Sequence, residues 1–351
     1  MEQQYDALEL LDLMREPAFC VRGGIIVKVN PAASAYLIET GSEAAALLLT
    51  GAEEYAAFSG GCLYLTLKVG GGPMGAAVTR VQDLDVFTLE DTESDARLQA
   101  MALAARELRT PLSNVMATCN QLPADAQTQE LRSHINRGLY QILRILGNMS
   151  DAGTASGGRL EMRDICAVLD EIFQKAEILT AHTGIRLEYT GYPQQVYTLV
   201  DADKIERAVW NILSNAIKFT DAGETISAVL FRRGNSMYLS ISDTGCGIAD
   251  NLRGSIFSRY TRQPSIEDSR NGLGLGMVLI RKASAIHGGT VLVDQQEGRG
   301  TRITVSFAVR QGEAMLRSPR LRVDYTGERD HGLVELSGVL PARLYSPDEN
   351  N

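Results

Sequence analysis

The sequence predicts an α+β chain of several domains, on three observations. Residues 17–89 alternate short apolar strands with glycine turns. Residues 98–149 place apolar side chains at steps of three and four and show no strand signal. From residue 162 onward, strand and helix patterns interleave, with glycine-rich loops between them. The divisions fall at 1–92, 93–155, 160–310 and 311–351, and a length of 351 residues fits two or three domains. Net charge of −9 argues against non-specific binding to nucleic acid. No apolar run approaches the ~20 residues of a membrane span, and Met1–Asp12 begins acidic, unlike a signal peptide. The five cysteines (20, 62, 119, 166 and 246) include no CxxC pair. That fits reduced thiols in a cytoplasmic protein and offers no metal or redox motif.

Tyr5–Met14 reads as a short helix with Leu8, Leu11 and Met14 on one side. PAFCVRGGIIVKVNPAASAYL then reads as strand, Gly23-Gly24 turn, strand, and a helix capped by Asn30 with Pro31 at its first position. Strands follow at Cys62–Val69, Met74–Val81 and Asp85–Leu89. The series resembles a compact PAS sensory domain. All four histidines (134, 182, 287 and 331) lie beyond residue 97, which argues against a histidine-ligated haem in this unit. No cysteine resembles a flavin photoadduct motif, and Cys20 and Cys62 read as core residues. The unit either binds a small molecule or pairs protomers, and the sequence leaves both open.

In the middle segment Leu98, Met101, Ala105, Leu108, Leu112, Val115, Cys119 and Leu122 form a heptad seam. After a loop at Pro123–Gln127, Leu131, Ile135, Ile142, Ile145 and Met149 mark a second helix. Two such helices make an antiparallel hairpin, and two hairpins make a four-helix bundle between protomers. A hairpin packed within one chain against the third domain is the alternative.

The most informative stretch is Asp203–Thr220, DKIERAVWNILSNAIKFT. Ile205, Val209, Ile212, Ala216 and Phe219 predict one apolar helix stripe, with Asn211, Asn215 and Lys218 together on the opposite side. Amide oxygens suit a hard cation such as Mg²⁺, and a lysine suits phosphate. Next, the strand MYLSISD ends in Asp243-Thr-Gly-Cys-Gly-Ile248. There Gly245 and Gly247 let the backbone approach a flat ligand, and Asp243 offers an acceptor to an exocyclic amine. Asn271–Met277 brings Gly272, Gly274 and Gly276 to the start of a helix, where backbone N–H groups meet phosphate. Finally, Glu297-Gly-Arg-Gly-Thr301 precedes the alternating strand RITVSFAV.

The order NxxxN, DxGxG, Ile256–Tyr260, GxGxG and GxGT resembles the ATP-binding domain of sensor histidine kinases, over Met162 to Val309. The resemblance implies an α/β sandwich. It implies further that Asn215, with Asn211 beside it, holds Mg²⁺, that Lys218 meets phosphate and that Asp243 reads the adenine amine. The glycines and Thr301 would line the nucleotide. The ATPases of the gyrase, Hsp90 and mismatch-repair type, and the serine kinases of anti-sigma antagonists, carry a glutamate base four residues before the magnesium asparagine. Here that position is Asn211, and an amide cannot take a proton at neutral pH. The site is read as holding ATP for an external nucleophile.

Ala105–Leu112, ARELRTPL, resembles the histidine kinase phosphoacceptor box SHELRTPL, matching from Glu107 through Leu112. The histidine position is Arg106, and a guanidinium has no lone pair to carry a phosphoryl group. His134, on the second helix and without a following acidic residue, is read as a solvated or packing residue. Glu107, the base that assists the histidine, and Thr110, which positions water for dephosphorylating a response regulator, remain by resemblance. The expectation is a homodimeric two-component protein that binds ATP and Mg²⁺ and lacks phosphorylation of its own histidine. It would instead regulate, phosphorylate a histidine on a partner kinase, or phosphorylate another residue of its own. The alternative is a non-catalytic ATP-gated scaffold that sequesters a response regulator or partner kinase. Arg320–Tyr325 and Leu333–Leu340 read as two strands, without an assigned role.

Overall fold

The computed structural model describes residues 8, 11–90, 93–121, 126–153, 159–248, 275–295, 300–310 and 330–346. Of the expected first helix, Leu8 and Leu11 are helical, and Leu11 packs against Ala18, Cys20 and Leu84. The N-terminal unit follows as β1 (Ala18–Arg22), β2 (Ile25–Val29), α1 (Ala52–Ala56), β3 (Cys62–Val69), β4 (Gly72–Val81) and β5 (Leu84–Leu89). The helix expected after Asn30 is a six-residue 3-10 helix, Pro31–Tyr36, ended by Leu37 in a left-handed conformation. Asn30 caps it by accepting from Ala33 N at 3.0 Å. It also accepts from Ala18 N at 2.9 Å and donates to the Glu16 carbonyl, so its burial leaves no amide atom idle. Phe19 stacks on Phe87 at 4.6 Å within a core that includes Leu63, Leu65, Leu67 and Val78.

Two 28-residue helices come next, α2 (Glu93–Asn120), which runs on through Pro111, and α3 (Ala126–Gly153). They pack through Ala105, Leu112 and Met116 on α2 and Leu139, Leu143 and Leu146 on α3. The expected seam is thereby split. Leu108 and Val115 on α2, and Leu131, Ile135, Ile142 and Ile145 on α3, are exposed. Each helix carries two apolar faces, and the pair within one chain covers one of them.

The third unit comprises β6 (Glu161–Asp164), α4 (Ile165–Ala181), β7 (Arg186–Thr190), β8 (Tyr197–Val200), α5 (Ala202–Phe219), β9 (Thr225–Arg233), β10 (Ser236–Asp243), α6 (Gly276–Ile286), β11 (Val291–Gln295) and β12 (Thr301–Ala308). Asp164 and Asp201 cap α4 and α5 by accepting from Cys166 N and Lys204 N. Phe173, Trp210, Leu213, Ile241 and Ile280 join the helices to the sheet in one core. The single apolar stripe expected on α5 is corrected, because residues 205–214 are buried on every side. The sheet, α4, α6 and the C-terminal segment all pack around this helix. Phe219, assigned to the stripe, is exposed at its end.

Among the described residues ten strands form one sheet, in the order β2-β1-β5-β4-β3-β11-β12-β10-β9-β7. The N-terminal unit joins the third unit edge to edge, with Tyr64, Leu63 and Cys62 of β3 antiparallel to Val291, Leu292 and Val293 of β11. Nothing in the sequence reading anticipated this joint.

The strand expected at Leu333–Leu340 is instead a short helix, α7 (His331–Glu335), and a turn. Asp330 caps it by accepting from Leu333 N at 3.1 Å. Leu333, Leu336 and Leu340 then step at helical spacing into the core of the third unit. The Tyr345 hydroxyl donates to the Leu333 carbonyl at 2.8 Å, folding residues 330–346 onto α3, α4 and α5. The expected strand at 320–325 lies outside the described residues.

His287 ties α6 to the start of α5. Its Nε2 accepts from Asp201 N at 2.9 Å, and Nδ1 donates to the Ala283 carbonyl. Burial holds its pKa below the ordinary 6.5. The neutral ring is therefore native, and below pH ~6.5 the unfolded chain takes up a proton that the folded chain refuses. Stability is full above that pH and falls by up to about 1.4 kcal/mol per pH unit beneath it, until the folded pKa is reached. His287→Gln is expected to flatten the fall in melting temperature between pH 7.5 and 5.5. An unchanged slope would remove His287 as its source.

Candidate functional site

The site forms where the end of α5, the loop after β10 and the start of β12 meet. Asp243 is buried at the end of β10, and its Oδ1 accepts from Gly245 N at 3.0 Å and Thr301 N at 3.1 Å. Its Oδ2 has no hydrogen-bond partner among the described residues. Desolvation raises the carboxyl pKa, and the two N–H bonds oppose that shift. The loop also rests on α5, since Cys246 N donates to the Phe219 carbonyl at 3.3 Å. Gly300 adopts φ +103° with its Cα against the Asp243 carbonyl, leaving no room for a Cβ. These contacts place Asp243, Gly245, Gly247 and Thr301 at one joint, as an acceptor held rigid beside glycine backbone.

The α5 residues fall into two environments. Asn211 is 1% exposed. Its Nδ2 donates to the Arg207 carbonyl at 2.8 Å, and its Oδ1 lies 3.0 Å from where a Gly276 side chain would begin. Asn215 and Lys218, one and two turns on, are half-buried, and the Lys218 ammonium lies 4.6 Å over the Phe219 ring. Gly276 opens α6 against α5, whereas Gly272, Gly274 and the Ile256–Tyr260 motif lie outside the described residues. Arg106, Glu107 and Thr110 are exposed on α2, as is His134 on α3. Among the described residues no cluster of three or more His, Cys, Asp or Glu side chains is placed to hold a metal.

The sequence reading missed a buried charge network one turn before Asn211. Arg207 pairs with Asp151, with Asn148 Oδ1 at 2.7 Å and with Glu335 at 3.6 Å, and Arg144 reaches the same Glu335 at 3.4 Å. His331 meets Glu206 at 3.0 Å. The available signal was the adjacent Glu206-Arg207, set between Ile205 and Ala208 of the apolar run.

Residues 200–311 match the family described as histidine kinase-, DNA gyrase B-, and HSP90-like ATPase. An uncharacterized sensor-like histidine kinase of Rhizobium meliloti is 28% identical over 71% of this chain and 52% of its own length. The adaptive-response sensory kinase SasA of Prochlorococcus marinus is 27% identical over 60% of this chain and 56% of its own. The chain thus spans about half the length of these two relatives. The crystal structure of full-length ShkA in complex with AMPPNP shares the fold, with a TM-score of 0.50 and 23% identity over 61% of this chain and 46% of that one. The motif joint on α5, β10 and β12 lies within the matched segment, and these likenesses support a sensor histidine kinase family for the chain.

Proposed function

We propose that the chain binds ATP with Mg²⁺ at the joint of α5, β10, β12 and α6. It would serve a two-component system as a kinase-like member without its own phosphoacceptor histidine. The carrying observation is Asp243, whose Oδ1 is fixed by two N–H groups and whose Oδ2 is left for the adenine amine. Gly245 and Gly247 admit the base to the backbone, and Thr301 closes the same edge. Lys218 takes phosphate oxygens, as do the backbone N–H groups at Gly272, Gly274 and Gly276. The donor set fits Mg²⁺, which keeps much of its water and takes one or two protein oxygens together with phosphate. Asn215 supplies the amide oxygen, with Asn211 behind it. Held there by Asn215, the ion would supply charge neutralisation to the phosphates. Because position 211 is an amide, no side chain there activates water, and ATP is kept for an acceptor outside the domain.

Around this site, Glu107 would assist an acceptor and Thr110 would position water on a phosphorylated response regulator. The exposed Leu108, Val115, Leu131, Ile135, Ile142 and Ile145 would pair two copies in a helical bundle, which light scattering at micromolar concentration reads directly. The five-stranded N-terminal unit would serve as the PAS-like sensor. The chain's site of action would be cytoplasmic; no helix among the described residues is long and apolar enough to cross a membrane. Arg106 equally favours a second reading, an ATP-gated scaffold that sequesters a response regulator or a partner kinase.

Nucleotide binding is tested by thermal shift. Mg-ATP at 100 times its Kd is expected to stabilise the native protein by about 2.7 kcal/mol. Asp243→Asn is expected to abolish the shift, because an amide places a donor where the adenine amine needs an acceptor. A wild-type melting temperature unmoved by millimolar ATP would refute the proposal.

A further inference from the structure

We infer that the N-terminal domain regulates the nucleotide site by docking directly on the ATP-binding domain, and that the docked state is the weaker ATP binder. This rests on the nucleotide reading above. The docking surface is the β11 edge, which β3 covers over three residue pairs. Around it the Tyr238 hydroxyl donates to Glu54 at 2.9 Å, and Gly61, at φ +83°, lies so close to the Val293 carbonyl that a Cβ there would collide.

Arg281 of α6 is the charged part of the interface. Its side chain is 4% exposed and crosses into the N-terminal domain, pairing with Glu90 at 3.2 Å and lying 4.9 Å over the Tyr64 ring. Its Nε and Nη2 have no partner among the described residues. A buried guanidinium with unfilled donors is costly, and water would fill them on separation. An interface of one strand pair over three residue pairs, with an under-bonded arginine, therefore suits two states of similar energy. Glu90 follows the last residue of β5 and stands three residues before α2.

Helix α6 is where the three domains meet. One face carries Arg281, while Leu275, Val278 and Leu279 pack on Leu98 and Ala152, and the Lys282 ammonium donates to the Ala152 carbonyl at 2.6 Å. Its first residue, Gly276, covers the Asn211 carboxamide. With the N-terminal domain docked, α6 is held from both sides and Asn211 is sealed. Separation frees one side and opens that amide to the nucleotide and its metal.

The test uses the full chain and Gly61→Ala, which sets a methyl against the Val293 carbonyl. Gly23→Ala is the control, at φ +55° with open space above it. Hydrogen exchange over β3 and β11 is expected to rise about tenfold in Gly61→Ala, and Mg-ATP affinity to rise roughly fivefold or more. The control should show neither change. By reciprocity, Mg-ATP added to wild type should speed exchange in both strands. Glu90→Arg, which sets like charge against Arg281, should reproduce the effect and replaces Gly61→Ala if that variant does not fold. Faster exchange with equal or weaker ATP affinity overturns this inference alone, as does exchange that does not rise. Absence of Mg-ATP binding in every protein fails the nucleotide site itself and takes this inference with it.

Discussion

Arg106→His is expected to acquire acid-labile phosphate from ATP where the wild type acquires none. The position is exposed on α2 beside Glu107, in a box that otherwise matches from Glu107 through Leu112. Guanidinium stays protonated and offers no lone pair, whereas neutral imidazole offers one next to an acidic neighbour. Transfer then depends on bringing the γ-phosphate in line with that nitrogen, and positioning supplies most of the catalysis in phosphoryl transfer. Labelling should vanish again on Asn215→Ala, which removes the proposed metal ligand. Labelled wild type would reveal another acceptor residue. An unlabelled Arg106→His that still binds ATP would favour the scaffold.

Arg207→Leu is expected to cost about 3–5 kcal/mol, the loss that follows when one partner of a buried ion pair is removed. Glu335 is fully buried and would lose one of the two arginines paired with it, while Asp151 and Asn148 would lose their contacts with the Arg207 guanidinium. For a unit of this size the melting temperature should fall by roughly 10 °C. Arg207→Leu with Glu335→Gln should recover part of the loss, because the stranded charge is then gone. A single-variant loss below about 1 kcal/mol would show that the network contributes little to stability.

The joint of Asp243, Gly245 and Thr301 was legible because its signals are local. An acid at a strand end, glycines where backbones touch and asparagines one turn apart on a helix are all marked in a few residues. The strands of the N-terminal unit were legible for the same reason, and Cys62–Val69 falls at its expected bounds. The joint between β3 and β11 was not, since CLYLTLKV reads alike whether one or two neighbours pair with it. The helices showed their apolar residues but not which face the chain covers itself. Leu139, Leu143 and Leu146 turn inward where Ile142 and Ile145 were expected. Leu333–Leu340 misled because five helical residues are too few to establish a period, and the Asp330 cap decides the outcome. Arg207 and Arg281 went unassigned because their partners lie in distant segments.

The fused sheet also constrains how the protein is made. Its two halves meet through strands near residues 63 and 292, and Arg207 waits for Glu335. Such distant pairings form late, after the local hairpins and helices. The N-terminal unit therefore leaves the ribosome with the outer edge of β3 bare, and it stays so through synthesis of the whole hairpin and most of the ATP-binding domain. A naked edge is an aggregation hazard in that interval, which Lys68 on the same strand helps to blunt. Helix α5 is complete long before the carboxylate that completes the charge network beneath Asn211 has been synthesised. Only chains that extend past Glu335 can assemble the site in its native surroundings, so products that stop before it are excluded by the order of synthesis.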